Sequence, residues 1–368
     1  MSILKKINKH LSNIPGWRSG RKYLIIESDD WGSIRMPSIQ AYNRLKAKGV
    51  PLKTGNSEGY NRLDTLAGPD DFSALFELLS SVKDKNGKKG VFTAMSLSAN
   101  PDFDKIRDSV FEEYFYEPFP VTLEKYGISK SLSCWKDGIA HGLFRPEFHG
   151  REHLNVAAWM RALQRKDPFT LAAFNEGFWG FRNPGSSRIN YQAAYDLEEY
   201  DDIIYQKEVI KSGLDLFEAI HGYRASFFVP PNGPFNLGLC KATAASGIKY
   251  ISTAKIHREP MGAGKFKKGL YSLGKKNQEG QYFLVRNCFF EPHQTQKDWV
   301  DSCLKDISVA FLWNKPAIIS SHRVNYIGMH NEANRMHSIK ELKRLLTSAL
   351  KKWPEIEFIT SVEIGKHI

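Results

Sequence analysis

Two adjacent carboxylates, Asp29 and Asp30, follow a short apolar run at residues 23–27 of this 368-residue chain. Two carboxylates this close repel each other. The repulsion is relieved when a cation binds to one of them or when one of them is protonated, so that the two take different roles. One aspartate could then act as a base while the other binds a metal ion. Adjacent aspartates are also common at solvated turns and helix N-caps, so the dipeptide alone leaves both interpretations open.

A pair of histidines four residues apart, His149 and His153, forms the second candidate group. On one face of a helical turn, two such imidazoles lie close enough to bind a single metal ion. The zinc-protease motif HExxH has glutamate in its second position, where this chain has Gly150, so that class is not favoured. The HxxxH spacing also arises by chance and does not by itself establish a metal site.

Two further groups come directly after apolar runs. Residues 230–233, with the sequence PPNG, follow a run at residues 225–229, and His322 follows another at residues 317–320. Two prolines and a glycine fix the backbone and leave N–H groups free to face a cleft, although a plain strand-to-loop turn has the same composition. A single histidine at a strand end is often structural.

The elements that must position these groups alternate along the chain. Nearly continuous apolar runs predict strands buried on both faces of a parallel sheet, at residues 23–27, 91–97, 225–229, 250–253, 282–290 and 317–320. Amphipathic spacing predicts helices at residues 71–82, 156–165, 203–219 and 339–352. This alternation predicts one α/β barrel with its site at the carboxyl ends of the strands, and with long insertions at residues 100–143 and 258–281.

The composition is that of a globular protein with a basic surface, with 42% hydrophobic residues, 25% charged residues and a net charge of +12. A basic surface favours acidic partners, but no zinc finger, helix-turn-helix or RNA-binding signature accompanies the scattered lysines and arginines. We therefore expect no nucleic-acid partner. The four cysteines are far apart and form no CxxC pair, which predicts reduced thiols rather than a disulfide framework or a thiolate metal site.

The N-terminal residues are basic and lack the apolar core of a signal peptide, and no run of about 18 or more apolar residues predicts a membrane span. We therefore expect a cytoplasmic protein. Ile3, Leu4, Ile7 and Leu11 would line one face of a short amphipathic helix. That helix could dock on the protein, or residues 1–15 could associate weakly with a membrane surface, and both interpretations stay open.

Together, the order of the four groups and their strand-end positions resemble the polysaccharide deacetylase family, the NodB-homology group of carbohydrate esterases. The family's aspartate pair, His-x-x-x-His pair, Pro-Pro-x-Gly loop and final histidine are matched by Asp29-Asp30, His149 with His153, residues 230–233 and His322. The resemblance covers roughly residues 22–364. It implies a distorted (β/α)7-type barrel with long loop insertions over residues 21–368, preceded by a basic extension at residues 1–20.

The resemblance also implies roles for the matched residues. Asp29 is expected to be the catalytic base, His322 the general acid, and Asp30, His149 and His153 the ligands of one divalent ion. Zinc suits this ligand set, while nickel, cobalt and iron also fit it. The backbone N–H of Asn232 would then help to hold the oxyanion.

The chain departs from the family pattern at three places. Val229 stands where the family often has an arginine, so another group must orient the base, and Arg224 and Arg286 are the candidates. Trp31 stands where a glycine usually follows the aspartates. No fourth motif is evident, although Glu291 could supply a carboxylate near His322.

These features predict a metal-dependent hydrolase that removes an acetyl group from a sugar or polysaccharide; an N-acetyl group is favoured, and an O-acetyl group stays open. The basic charge favours an acidic glycan as the partner. The predicted substrate contacts are Trp31, as a stacking platform for the sugar ring with Trp179 and Phe181 next in order, and also Pro231, Arg286 and Glu291. Two alternatives stay open: a metal-dependent glycosidase or phosphoesterase, and a glycan-binding protein that has lost turnover.

Overall fold

The computed structural model describes residues 3–53, 57–183, 185 and 187–368, with side chains from Ile7 onward. Thirteen strands lie in this part of the chain. They are β1 Lys22–Trp31, β2 Phe92–Ser96, β3 Ala99–Pro101, β4 Tyr116–Pro118, β5 Phe144–Phe148, β6 Phe227–Phe228, β7 Tyr250–Ser252, β8 Ile256–Pro260, β9 Phe266–Leu270, β10 Tyr282–Leu284, β11 Cys288–Phe289, β12 Ala317–His322 and β13 Ile356–Phe358.

Nine of these strands form one parallel sheet. Eight follow the order β10-β7-β6-β5-β2-β1-β12-β11, and β13 pairs with the start of β1. The strands at the two ends of this path, β10 and β11, are separated along the chain by residues 285–287 alone. Four Cα steps span at most about 15 Å, so the sheet must curl until its ends adjoin. The predicted distorted α/β barrel is therefore confirmed, with eight strands around it.

The described helices cover the sheet. They are α1 Ile3–Leu11, α2 Ile39–Ala47, α3 Ser57–Leu63, α4 Pro69–Ser81, α5 Phe103–Asp108, α6 Phe119–Lys125, α7 Ser131–Ala140, α8 Val156–Gln164, α9 Pro168–Phe174, α10 Asp202–His221, α11 Cys240–Ala245, α12 Trp299–Leu312, α13 Glu332–Lys352 and α14 Ser361–Gly365. Several begin at a side chain that accepts a backbone N–H, including Ser38, Asn155, Asp298 and Thr360. Such caps satisfy donors that the first helical turn leaves unpaired.

The long insertions form small antiparallel ribbons. β3 pairs with β4 within residues 99–118, and β8 pairs with β9 within residues 256–270. The apolar run predicted as one strand at residues 282–290 instead forms two strands, because the chain leaves the sheet at residues 285–287 between β10 and β11. This break carries Arg286 into the barrel interior, where it lines the cavity described below.

The pattern of apolar residues did not reveal β5. Its sequence, FRPEF, carries a proline and two charged residues, yet Glu147 is fully buried. The Glu147 carboxylate accepts the N–H groups of Ser226 and Phe227, each at 2.9 Å, and so joins β5 to the two-residue strand β6. Burial, only partly offset by these hydrogen bonds and by Arg145, raises the pKa of Glu147 to about 6.

The N-terminal segment is tied to the barrel through polar contacts. Lys9 forms an ion pair with Asp306, and Lys315 Nζ donates to the carbonyl oxygens of Pro15 and Trp17, each at 2.8 Å. Of the predicted apolar face of this helix, Ile7 and Leu11 are exposed, and the side chains of Ile3 and Leu4 lie outside the described residues.

Two further expectations concern the redox state of the cysteines and the presence of membrane-spanning helices. All four cysteines are free thiols, and Cys240, Cys288 and Cys303 are buried. Among the described helices, none combines the length and the apolar character needed to cross a bilayer.

Candidate active site

A cavity of about 750 Å³ opens at the carboxyl ends of the barrel strands. Because the sheet is parallel, these strand ends meet at one edge, and Asp29 of β1 lies directly beside His322 of β12 in the register. The chain positions predicted from the four motifs therefore converge. The sequence-predicted residues that line the cavity are Asp29, Asp30, His149, His153, Asn232, Arg286 and His322.

Asp30, His149 and His153 form a compact and fully buried group. One carboxylate oxygen, Asp30 Oδ1, lies 3.1 Å from His153 Nε2 and 3.4 Å from His149 Nε2. One potential ligand atom from each of the three side chains lies within 4.8 Å of the other two. Two imidazoles and one carboxylate at this spacing could hold a divalent ion, and they leave coordination positions open on the cavity side.

The protonation of both histidines suits metal binding. His149 Nδ1 lies 2.7 Å from the carbonyl oxygen of Val229, which can only accept, so this nitrogen carries the proton. His149 Nε2 is therefore left with a lone pair; it is buried and has no hydrogen-bond partner among the described residues. Burial lowers the pKa of His153 more than the Asp30 charge raises it, which keeps that imidazole neutral. The donor set thus fits a metal ion.

The loop that carries the two histidines is not the helical turn expected from their spacing. Residues 149–155 connect β5 to α8 without helical structure, and Gly150 has a φ of +117°. A Cβ at Gly150 would lie 3.2 Å from Glu152 O and 3.3 Å from the Tyr195 hydroxyl. Asp30 also has a positive φ, of +75°, which costs free energy in a non-glycine residue and is typical of functional sites.

The Asp29 carboxylate is held by Arg286 in a bidentate ion pair. Arg286 Nη1 and Nη2 each donate to Asp29 at 2.6 Å, while Nε donates to the fully buried carboxylate of Glu27. Burial would raise the pKa of Asp29, but the charge and hydrogen bonds of Arg286 outweigh it and lower that pKa. Asp29 is therefore ionised at neutral pH. Arg224, the other candidate for this role, instead pairs with Asp215 and Glu218.

His322 is held in place by a carboxylate on its outer side. Its Nδ1 lies 2.6 Å from Glu291 Oε1, while its Nε2 faces Asp29 Oδ2 at 3.8 Å. Burial alone would lower the pKa of His322, but the charge and hydrogen bond of Glu291, with the charges of Asp30 and Asp29, raise it to about 10. This imidazole is therefore protonated at neutral pH.

The prediction that Trp31 stacks on a sugar ring is wrong. Trp31 is 1% exposed and packs against Phe72, Trp135 and Phe144, with its indole N–H donated to Ser28. The register of β1 against β2 shifts between Ser28 and Trp31, and Asp30 has a positive φ, so Asp29 and Asp30 both face the cavity while Trp31 points into the core. Trp179 and Phe181, the next stacking candidates, are each 1% exposed as well.

The structure also shows where the three other predicted substrate contacts lie. Pro231 is buried, with its Cγ 3.5 Å from the position of a Cβ on Gly150, and it does not line the cavity. Arg286 has four of its five N–H donors occupied by Glu27, Asp29 and Ser320. Glu291 lies behind His322, where its second oxygen accepts from Asn325 at 2.8 Å. Arg286 and Glu291 therefore hold other side chains in place, and their contact with a substrate stays a prediction.

Several residues that line the cavity or lie behind its wall belong to no motif visible in the sequence. Glu27 is the last residue of an apolar run. Its carboxylate accepts hydrogen bonds from Arg286 and Ser361, which come from distant parts of the chain. Arg35 lies on the loop after β1 and Tyr60 lies on α3, and both line the cavity. Phe289 is half exposed there, so it is a better stacking surface than the buried tryptophan.

No protein-family model and no curated protein sequence matches this chain. Similar solved structures include a probable polysaccharide deacetylase from Pseudomonas aeruginosa PAO1, at 10% identity and a TM-score of 0.46, covering 95% of this chain and 91% of that one. Puue allantoinase is similar at 11% identity and a TM-score of 0.48, with 95% and 91% covered. The α-amylase AmyC from Thermotoga maritima is similar at 8% identity and a TM-score of 0.47, with 95% and 75% covered. The solved structures similar to this chain thus include a polysaccharide deacetylase, the family that its sequence motifs resemble.

Proposed function

We propose that this protein is a metal-dependent hydrolase that removes an acetyl group, most simply an N-acetyl group, from a sugar or glycan. One observation carries the proposal. An ionised Asp29, a protonated His322 and the buried group Asp30, His149 and His153 all face the same cavity. Hydrolysis of an amide requires a base, an acid and an electrophile at such a point.

Asp30, His149 and His153 would hold the ion, and zinc suits two imidazoles and one carboxylate best. When bound, a divalent ion at this place supplies Lewis acidity to an acyl oxygen and to a water molecule. The Val229 carbonyl fixes the tautomer of His149 that exposes its Nε2 lone pair. Such outer partners of a ligand keep the ring oriented.

Asp29 would take the proton of the attacking water. Arg286 holds both of its oxygens, so the carboxylate keeps one orientation and stays ionised. The Asn232 backbone would serve the oxyanion that develops on the acyl group, because its N–H makes no hydrogen bond to the described residues and Asn232 lines the cavity.

His322 would give its proton to the departing amine. An amide nitrogen leaves poorly as an anion, so a protonated group within reach of it is needed. The Glu291 carboxylate keeps His322 protonated and turns its Nε2 toward Asp29, on the wall of the cavity.

The test is acetate release from N-acetylglucosamine oligosaccharides by zinc-loaded protein, together with metal content. Asp29→Asn should lose turnover by at least about a hundredfold, as expected for loss of a general base, while it keeps its zinc. His153→Ala should lose both. Asp104→Asn and His141→Ala, at exposed positions, are matched controls that should change neither. Near-normal turnover in Asp29→Asn would refute the assignment of the base.

The products separate the alternatives. New reducing ends or released phosphate, in place of acetate, would indicate a glycosidase or a phosphoesterase. A protein that binds zinc and the oligosaccharide but releases no product would be a glycan-binding protein without turnover.

A further inference from the structure

The positively charged groups that line the cavity differ in their partners. Arg286 is paired with Glu27 and Asp29, His322 with Glu291, and Lys9 with Asp306. Arg35 and Lys255 also line the cavity, yet no described carboxylate forms an ion pair with either of them. A divalent ion at the Asp30 group would add further positive charge. The Glu27 and Asp30 carboxylates offset the charges of Arg35 and Lys255, and Asp30 is the carboxylate that acts most strongly on Arg35. The cavity wall would therefore have a surplus of positive charge once a divalent ion is bound at the Asp30 group.

Arg35 is the buried member of this unpaired set. Its side chain is only 7% exposed, and its φ of +51° lies in the left-handed region that non-glycine residues avoid. Its Nε and Nη2 both donate to Asn61 Oδ1 at 3.2 Å, and Asn61 is itself anchored to the Leu52 carbonyl at 2.9 Å. Within the described part of the chain, Arg35 Nη1 has no hydrogen-bond acceptor.

The surroundings of Arg35 place it beside the proposed acid. Its guanidinium lies 5.6 Å from the ring centroid of Tyr60, and the Tyr60 hydroxyl lies 3.2 Å from His322 Nδ1. On the proposed function, His322 serves the leaving amine, so this side of the cavity receives the sugar rather than the acetyl group. The neighbouring Arg323 cannot take the same role, because it is fully buried in an ion pair with Asp64.

We propose that the substrate is an acetylated sugar bearing an anionic substituent, a carboxylate or a phosphate, which Arg35 binds next to the reacting amide. This inference rests on the proposed function and narrows its substrate class. A buried guanidinium with an unused N–H gains a charge-assisted hydrogen bond from an oxyanion, whereas a neutral hydroxyl offsets its burial only in part. The half-buried Lys255, whose ammonium donates to Ser12 at 2.9 Å, adds attraction at the cavity rim.

The experiment compares N-acetylglucosamine with its 6-phosphate and with N-acetylmuramic acid, which carries a carboxylate. Dissociation constants and acetate release are measured for each on the zinc-loaded protein. We expect at least one of the two anionic sugars to bind about tenfold more tightly than the neutral one, as one charge-assisted contact allows. The two anionic arms distinguish phosphate from carboxylate.

Arg35→Gln should abolish this preference while it leaves binding of the neutral sugar within about twofold, and Arg35→Lys should restore part of it. Arg44→Gln is the matched control, since Arg44 is exposed on α2 and paired with Glu176. Should Arg35→Gln fail to fold, inorganic phosphate provides the readout on the unchanged protein. It should compete with the anionic sugars at concentrations that leave binding of N-acetylglucosamine unaffected.

Equal affinity for neutral and anionic sugars would overturn the inference. So would a preference that survives in Arg35→Gln but disappears in Lys255→Gln, because the anion would then be bound at the rim. Absence of acetate from all three sugars, with Arg35-dependent binding intact, would instead count against the deacetylase assignment alone.

Discussion

At the scale of single residues, the Glu291–His322 pair sets the proposed acid apart from an ordinary histidine. The raised pKa of His322, about 10, depends on the Glu291 charge. The protonated form of His322 should therefore persist across the neutral range and be lost as pH rises through that value. Glu291→Gln removes the charge and should move the alkaline limb of kcat/KM to lower pH. The pH profile of kcat/KM measures this shift.

The control for this change is Glu332→Gln, which removes an exposed carboxylate at the start of α13. It should leave the alkaline limb in place. An unchanged limb in Glu291→Gln as well would mean that His322 does not carry the essential proton.

The residues proposed to carry the chemistry could be predicted from sequence, whereas most of their partners could not. Asp29, Asp30, His149, His153 and His322 each follow a recognisable local pattern, and the structure brings them to one cavity. Their partners are fixed only by packing. Arg286 reaches Asp29 across 257 positions of sequence, and no local spacing marks such a pair.

At the scale of elements, apolar runs predicted strands reliably, whereas β5, which lacks such a run, was missed. The runs at residues 23–27 and 317–320 predicted β1 and β12, which are buried on both faces. The apolar pattern did not predict β5 because the buried carboxylate of Glu147 stands where an apolar side chain would be expected. This carboxylate accepts the backbone N–H groups of residues 226 and 227, at the start of the next strand. The expected helical turn at His149 was wrong because Gly150 adopts a φ that a helix cannot contain.

The loop after β5 yields a prediction at the same scale. Gly150→Ala forces a Cβ into the left-handed region and against Glu152 O, so it should displace His149 or His153. We expect loss of about 1–3 kcal/mol of stability and a fall of tenfold or more in zinc affinity. Both are measurable, by chemical denaturation and by competition with a zinc chelator.

Gly142→Ala is the matched control for this substitution. Gly142 also has a positive φ, of +66°, but a Cβ there meets no atom within 4 Å. It should lose stability through the backbone alone and keep its zinc affinity. Equal zinc affinity in both variants would show that crowding at Gly150 does not position the ligands.

At the scale of the whole molecule, the buried imidazole of His221 makes the free energy of unfolding depend on pH. This residue, at the end of α10, packs among Phe119, Trp135 and Phe217, and burial, with some help from Arg145, lowers its pKa to about 3. In the unfolded chain its pKa is about 6.5. Below about pH 6.5, His221 therefore binds a proton in the unfolded state but not in the folded state, and the free energy of unfolding falls as the pH drops.

His221→Phe should remove this dependence. Between pH 7 and pH 5, the unchanged protein should lose roughly 2 kcal/mol more stability than the variant, from about 1.4 kcal/mol for each pH unit. Urea denaturation at the two pH values measures the difference. Parallel losses in the two proteins would mean that His221 is already accessible to protons in the folded state.

The membrane-surface association predicted for residues 1–15 and the cytoplasmic location stay predictions. What the structure adds is the placement of the segment, because Lys9, Ser12 and Asn13 line the cavity while Ile7 and Leu11 face outward. The described residues of this segment that line the cavity, Lys9 in the helix and Ser12 and Asn13 just after it, are polar, which amphipathic spacing alone could not predict.

The break between β10 and β11 has a mechanical consequence. Residues 285–287 connect β10 to β11, the two strands at the ends of the sheet. The middle residue, Arg286, hydrogen-bonds to both Glu27 and Asp29 of β1. Any widening at residues 285–287 would displace the carboxylate of Asp29, the proposed base. On the proposed function, amide exchange at residues 285–287 should thus report the fraction of molecules in which Asp29 is correctly oriented. The reason is that the Arg286 guanidinium both connects this part of the barrel to β1 and holds the proposed base.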